Sequence, residues 1–249
     1  RSITGTGVRE TLGVIGEELD LQVREIATGT PVFDWTVPRE WNIRDAYIKD
    51  ATGRRVVDFR ASSLHVVNYS VPVHCRMPLT ELKKHLFSIP EHPDWIPYRT
   101  SYYSETWGFC LTHNQLSAPE DGEYEVCIDS TLAPGSLTYG EYYIPGETDE
   151  EILIYSHVCH PALCNDNLSG LAVTSFLAEH LAARRNRFFS ACSKVTLAFS
   201  SSSRAFSSSS GSGFFLRSAT STWASLNSPS VRARSAFSSA LNSASGNPS

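Results

Sequence analysis

Between His157 and Asp166 the chain gathers side chains that bind metals: His157, Cys159, His160, Cys164 and Asp166, within HVCHPALCND. Zinc takes imidazole nitrogen, thiolate sulfur and carboxylate oxygen, and a hydrolytic zinc keeps one position open for a water whose pKa it lowers. Three readings stand side by side. In the first, His157, His160 and Asp166 are ligands of a hydrolytic site, with the Asp166 carboxylate able to bridge two metals. There His160, whose turn Pro161 helps fix, is either a ligand or a group behind one. In the second, His157, Cys159, His160 and Cys164 form a structural zinc site, although Cys159 and His160 are adjacent and the spacing is irregular. In the third no metal is involved: Asp166 caps a helix and the histidines are polar surface. The missing G-x-S-x-G elbow speaks against a serine hydrolase, and Ser169 falls inside a helical pattern.

The flanking residues say how the loop is held. Ile152-Leu153-Ile154-Tyr155 is an apolar run of strand length. A helix starts near Leu168, and Asn165, Asp166 or Asn167 can each cap it. Leu168, Leu171, Ala172, Phe176 and Leu177 supply its apolar face, continued by Ala178, Leu181 and Ala182. Gly170 removes a side chain in the first turn and permits close packing behind the loop. A strand, a ligand-rich turn and a helix put the turn at the carboxyl end of a strand, where open α/β sheets carry their sites.

Upstream, Val8, Leu12, Ile15 and Leu19 recur at helical spacing over residues 1–20. A strand begins at Leu21 and a turn follows at Gly29-Thr30-Pro31. Residues 34–73 read as short antiparallel strands, with a hairpin turn at Asp50-Ala51-Thr52-Gly53 and a strand over Leu64–Tyr69. A short helix over Leu79–Leu86 leads to an irregular connection at 89–98. Strands are expected over Tyr102–Leu111, Tyr124–Asp129 and Ser136–Ile144. His113 reads as a hydrogen-bonded structural histidine before a cleft residue, and Trp35, Trp41, Trp95 and Trp107 as core before a sugar platform.

The chain has 249 residues, 41% of them hydrophobic, enough for a sizeable core. The charge is unevenly spread. Residues after Glu179 carry eight of the 21 Lys and Arg and none of the 26 Asp and Glu, leaving 13 basic against 26 acidic residues before them. So acidic a body does not suit nucleic acid. No apolar run reaches the eighteen residues of a membrane helix, and no signal-peptide pattern is visible. Six scattered Cys without a C-x-x-C pair fit a reducing, cytoplasmic setting.

After Arg187 the character changes. Residues 191–249 are about one-third Ser, without acids and without a sustained helical or strand period. One reading is a low-complexity, disordered tail. The other is an out-of-frame continuation, favoured by the abrupt shift and by Phe-Phe pairs at 188–189 and 214–215.

HVCHPALCNDNLSG, with RSITGTGVRETL, GTPVFDWTVPREWNIRDAYI, LHVVNYSVPV, IPYRTSYYSETWGFCLTHNQ and GSLTYGEYYIPGE, resembles a bacterial family classed as zinc aminopeptidases. Its members carry a domain of unknown function inserted in an aminopeptidase-like fold. The likeness runs from residue 1 to about 187. It implies an α/β fold, a zinc-exopeptidase-like (phosphorylase/hydrolase-like) sandwich with a mixed sheet, interrupted by a small β-rich inserted domain, its C-terminal part missing or aberrant. The expected division is 1–35 and 101–187 for the aminopeptidase-like domain, 36–100 for the insert and 188–249 for the tail. The resemblance maps metal binding onto His157 and onto Asp166 of DNLSG, with one or two zinc ions and a peptide or small amide as substrate. It also implies later carboxylate and His ligands and a general-base Glu. No acid follows Glu179 and no His follows His180, so this chain is expected to be poorly active or inactive. The alternative is a non-catalytic module whose β-rich insert recognises a partner or glycan on an α/β scaffold. Neither nucleic acid nor a membrane is an expected partner.

Overall fold

A computed structural model describes residues 2–101, 104–117, 121–146, 151–159, 164–183 and 194–200. In chain order the elements are α1 (Thr6–Gly16), β1 (Gln22–Ala27), β2 (Pro31–Val32), β3 (Trp35–Thr36), β4 (Glu40–Lys49), β5 (Arg55–Asp58), β6 (Val73–Pro78), α2 (Leu79–Leu82), β7 (Leu86–Phe87), β8 (Phe109–Cys110), α3 (His113–Ser117), β9 (Glu123–Ala133), β10 (Ser136–Ile144), β11 (Glu151–His157), α4 (Ser169–Ala183) and β12 (Lys194–Ser200). Two compact units emerge: Ile26–Leu137 with the first six residues, and Gly7–Glu25 with most of the chain from Thr138 onward.

The first unit is built on an antiparallel sheet in the order β5-β4-β9-β6. Strict alternation along β9 explains it. Tyr124, Val126 and Ile128 are buried, while Glu125, Cys127 and Asp129 take the other face. On β4, Ala46 and Ile48 join the core beside Val57, Leu79, Leu82, Phe109 and Leu111. Each Val, Ile, Leu or Phe side chain among them, fully buried, contributes about 1.5–3 kcal/mol. The β4–β5 hairpin closes as expected on Asp50, whose Oδ1 accepts the backbone N–H of Thr52 (3.0 Å) and Arg54 (3.1 Å). Gly53 takes the left-handed φ of +85° that the turn requires. Because β9 pairs with both β4 and β6, this unit runs on to Leu137.

Two expected strands are not continuous ladders. Over Leu64–Tyr69 the chain makes a 3-10 turn, Ser63–His65, in which Ser62 Oγ accepts the Leu64 N–H. It then pairs one residue at a time, Val66 with Phe109 and Asn68 with Thr100. Tyr69, at φ +71°, ends the extended run. Of the strand expected over Tyr102–Leu111, only Phe109–Cys110 forms a strand among the described residues, parallel to Leu86–Phe87. Beyond this two-residue ladder the apolar run fills the core: Phe109 and Cys110 are fully buried. The aromatic residues divide. Trp41 is buried and donates its indole N–H to the Ser70 carbonyl at 2.8 Å, and Trp107 stacks on His85. Trp95 is 60% exposed and stacks on His92.

The second unit carries a mixed sheet in the order β1-β10-β12-β11, with β12 antiparallel to β10 and parallel to β11. The expected first helix forms over Thr6–Gly16, and its Val8, Leu12 and Ile15 enter one core with Leu19, Ile144, Val158, Leu171 and Ala178. A Cβ on Gly140 would stand 2.6 Å from Leu21 Cδ2, so the bare backbone lets β10 approach this core.

Two features depart from the sequence pattern. KVTLAFS, at the edge of the Ser-rich tail, is the strand β12 between β10 and β11; its alternating Val195, Leu197 and Phe199 are too short a signal to stand out. The remainder of the tail lies outside the described residues. On α4 the buried stripe is Leu171, Thr174, Ser175 and Ala178, at helical spacing. Phe176, expected on that face, is 45% exposed, and Val173 is 56% exposed. A helix apolar on nearly every side does not disclose which side packs. Among the described residues no helix is long and apolar enough to cross a membrane.

Candidate metal-ligand pair at the end of β11

β11 delivers His157 as its last residue, in register with Ser200 of β12. Val158, next along, is buried in the core and anchors the strand end. Across from it the chain re-enters at Cys164–Leu168, one irregular helical turn ahead of α4. Asp166 (φ −120°, ψ 87°) and Asn167 (φ −139°, ψ 33°) leave helical geometry there, and the peptide between them is cis. Asp166 Oδ1 lies 2.8 Å from His157 Nε2. Both side chains are open to solvent, 33% and 64% exposed.

Asn167 fixes the turn from below. Its Nδ2 donates to Ser156 Oγ at 2.9 Å and to the His157 carbonyl at 3.2 Å. The packing expected at Gly170 is present: a Cβ there would meet Asn167 Oδ1 at 2.2 Å. Ser169 Oγ donates to the Asn165 carbonyl at 2.8 Å, holding the first turn of α4. The sequence named Asn167 only as a possible cap; its positioning role depends on Ser156, which carries no motif of its own.

His157 and Asp166 therefore converge, and His160 lies outside the described residues. Among the described residues no three His, Cys, Asp or Glu side chains gather as a metal would require. Burial, aided by the nearby Asp166 charge, pushes the Cys159 thiol up to about 12 in the metal-free chain. His113 sits at the start of α3, its Nδ1 3.0 Å from Ser88 Oγ, as a hydrogen-bonded structural histidine. In donor type the pair fits zinc: one imidazole nitrogen and one carboxylate oxygen on a solvent-facing rim. In number it is two of the four positions a zinc ion fills.

Comparison with known proteins gives the setting. The family model for a domain of unknown function, DUF2172, matches residues 40–131. The chain is 54% identical over 188 residues to a Clostridium acetobutylicum protein described as a "Putative polysaccharide biosynthesis protein with aminopeptidase-like domain". That match covers 76% of this chain and 43% of that protein. The crystal structure of a "putative peptidase" from Clostridium acetobutylicum superposes with a TM-score of 0.76 at 52% identity, covering 80% of this chain and 46% of that one. The chain thus spans a little under half the length of these relatives. BSAP, a zinc aminopeptidase from Bacillus subtilis, shares the fold with a TM-score of 0.50 at 11% identity, over 80% of this chain and 56% of that one. The chain is therefore a mixed α/β protein of the aminopeptidase-like kind, related to these clostridial proteins and carrying DUF2172 over residues 40–131.

Proposed function

We propose that the chain is part of a metal-dependent aminopeptidase-like hydrolase of peptide or small amide bonds, with His157 and Asp166 as two of its zinc donors. The observation that carries this reading is the 2.8 Å approach of His157 Nε2 to Asp166 Oδ1 at the carboxyl end of β11. His160 completes the proposed ligand set. Zinc, as one or two ions, supplies Lewis acidity and a water of lowered pKa when bound. The chain's own residues orient and hold. Asn167 ties the turn to Ser156 and to the His157 backbone, so imidazole and carboxylate keep one mutual geometry. Exposure of both groups leaves room for substrate.

This particular chain we read as poorly active or inactive. Full zinc chemistry requires further ligands and a base, and no Asp or Glu follows Glu179. A second reading is a non-catalytic binding module in which the β-rich insert recognises a partner or glycan on an α/β scaffold. A cytoplasmic setting belongs to the proposal and is supported by Cys75, Cys110, Cys127 and Cys159 all being free thiols. Titration calorimetry with zinc separates the two readings. Weak zinc binding by the chain, lost in both His157→Ala and Asp166→Ala, supports the hydrolase lineage of the site. Zinc binding unchanged in both variants overturns the assignment of these ligands.

A further inference from the structure

We propose that β11 is the seat of a two-fold dimer, in which two copies of this chain join their mixed sheets edge to edge, β11 against β11. The sheet runs β1-β10-β12-β11, so β11 has β12 on one side and, among the described residues, no strand on the other. An open edge offers backbone donors and acceptors to any strand that fits, and proteins blunt such edges with charge, proline, bulges or brevity. The other outer strands carry these devices. β1 holds Arg24 and Glu25, engaged with Glu141 and Arg9. β5 has four residues, among them Arg55 and Asp58. β6 carries His74 and Arg76 and ends on Pro78. Between its two ends β11 has none of them. Its register with β12 is unbroken, and Ile152, Leu153, Ile154 and Tyr155 follow one another, all half-buried. So continuous an apolar run is the pattern of a strand inside a covered sheet, not of its rim.

The sequence of β11 selects its own antiparallel copy. In a joined sheet, residues pair only with residues on the same face, so a two-fold pairing must be centred on a residue. The register that uses the whole strand, Glu151–His157, is centred on Ile154. It sets Leu153 against the partner's Tyr155, an aliphatic residue against an aromatic one. At both ends it sets Glu151 against the partner's His157, an acid against an imidazole, and like charges never meet. The helices fit the same arrangement. α4 links β11 to β12 and packs on both, with Leu171 and Ala178 in one core with Ile152 and Ile154. The two-fold axis stands perpendicular to the sheet, so both α4 helices lie on one face of the joined sheet. A helix above the β11–β12 gap then stands two strand spacings from its copy, about 10 Å, the distance at which helices pack. α4 has apolar surface left for that contact in Val173 and Phe176, 56% and 45% exposed. A second copy of the chain meets both conditions, complementary ends and helix spacing, with nothing added.

The dimer is measured without metal, so its failure would leave the zinc assignment untouched. Sedimentation equilibrium of the full chain is expected to give a closed dimer with a micromolar dissociation constant. Leu153→Lys sets an ammonium group against the partner's Tyr155 twice across the axis and should weaken the dimer about tenfold or more, with the circular dichroism spectrum unchanged. Ile154→Cys puts a thiol on the axis, where opposed Cα atoms stand about 4.5–5.5 Å apart, within reach of a disulfide. Mild oxidation should link two chains through position 154, as located by peptide mapping. Val23→Cys, at an exposed position on β1, should not link. If Leu153→Lys does not fold, the link at position 154 decides alone. A chain that stays monomeric into the millimolar range, open-ended assembly, undiminished dimerisation in a folded Leu153→Lys, or linking at position 23 as fast as at 154 overturns the proposal.

Discussion

Gly170 and Asn167 form a contact that only a glycine permits: a Cβ at position 170 would lie 2.2 Å from Asn167 Oδ1. Asn167 cannot yield without loss, because its Nδ2 is committed to Ser156 Oγ and to the His157 carbonyl. The chain of contacts runs from the first turn of α4 through an amide side chain to the backbone of the candidate ligand. Side-chain freedom given up at one position fixes the carbonyl and side chain of another.

Gly170→Ala should therefore act at a distance of several residues. The methyl group displaces Asn167, and two hydrogen bonds are lost at about 0.5–1.5 kcal/mol each. Alanine's better helix propensity returns at most about 1 kcal/mol. A net destabilisation of about 1–2 kcal/mol is expected in urea unfolding, with a fall in zinc affinity. A variant more stable than the parent, with zinc binding intact, would show that the contact positions nothing.

The outer face of the first unit should make stability depend on pH. Hydrogen bonding to Arg55, helped by the charges of Arg55 and Arg60, holds the Asp45 carboxyl below the usual aspartate range against the opposing effect of burial. The side chains of Asp45 and Arg55 are 16% and 26% exposed. A carboxyl whose folded pKa is depressed stabilises the fold above its unfolded value, about 3.9, and that contribution fades as pH falls through the lower folded value. Asp45→Asn should thus cost about 1–2 kcal/mol at pH 7 and progressively less below about pH 4. Urea unfolding of both proteins across pH 3–7 measures it; a difference constant over that range refutes the linkage.

The strand–turn–helix around His157 was legible in sequence because its parts are local: an apolar run, a polar turn, a helical period. The β4–β5 hairpin was legible for the same reason, through Asp50 and Gly53. Less legible were features decided by distant partners. Val66 and Asn68 each find a different neighbour, Phe109 and Thr100, so their extended backbone makes no ladder. β12 owes its place to pairing with β10 and β11, not to its own seven residues. At the site, His157 and Asp166 are readable as donor types nine residues apart. The Asn167–Ser156 bond that sets their geometry joins two uninformative polar residues. The contribution of His160 falls in 160–163, outside the described residues.

Phe109 should be the most sensitive core position of the first unit. It is fully buried, pairs across β7–β8, and adjoins Gly108, where a Cβ would already stand 2.7 Å from the Phe87 ring. Val66 bridges to it from another segment, so the ring ties together three stretches of chain that share no continuous ladder. Removing it leaves a void the neighbours cannot close, because their backbones are fixed by these same pairings. Phe109→Ala should cost about 3–5 kcal/mol. Trp95→Ala deletes a larger side chain, but one that is 60% exposed and stacked only on His92 among the described residues; it should cost within about 0.5 kcal/mol. Denaturant unfolding followed by circular dichroism ranks the two. Equal losses would mean that size, and not burial, governs this unit.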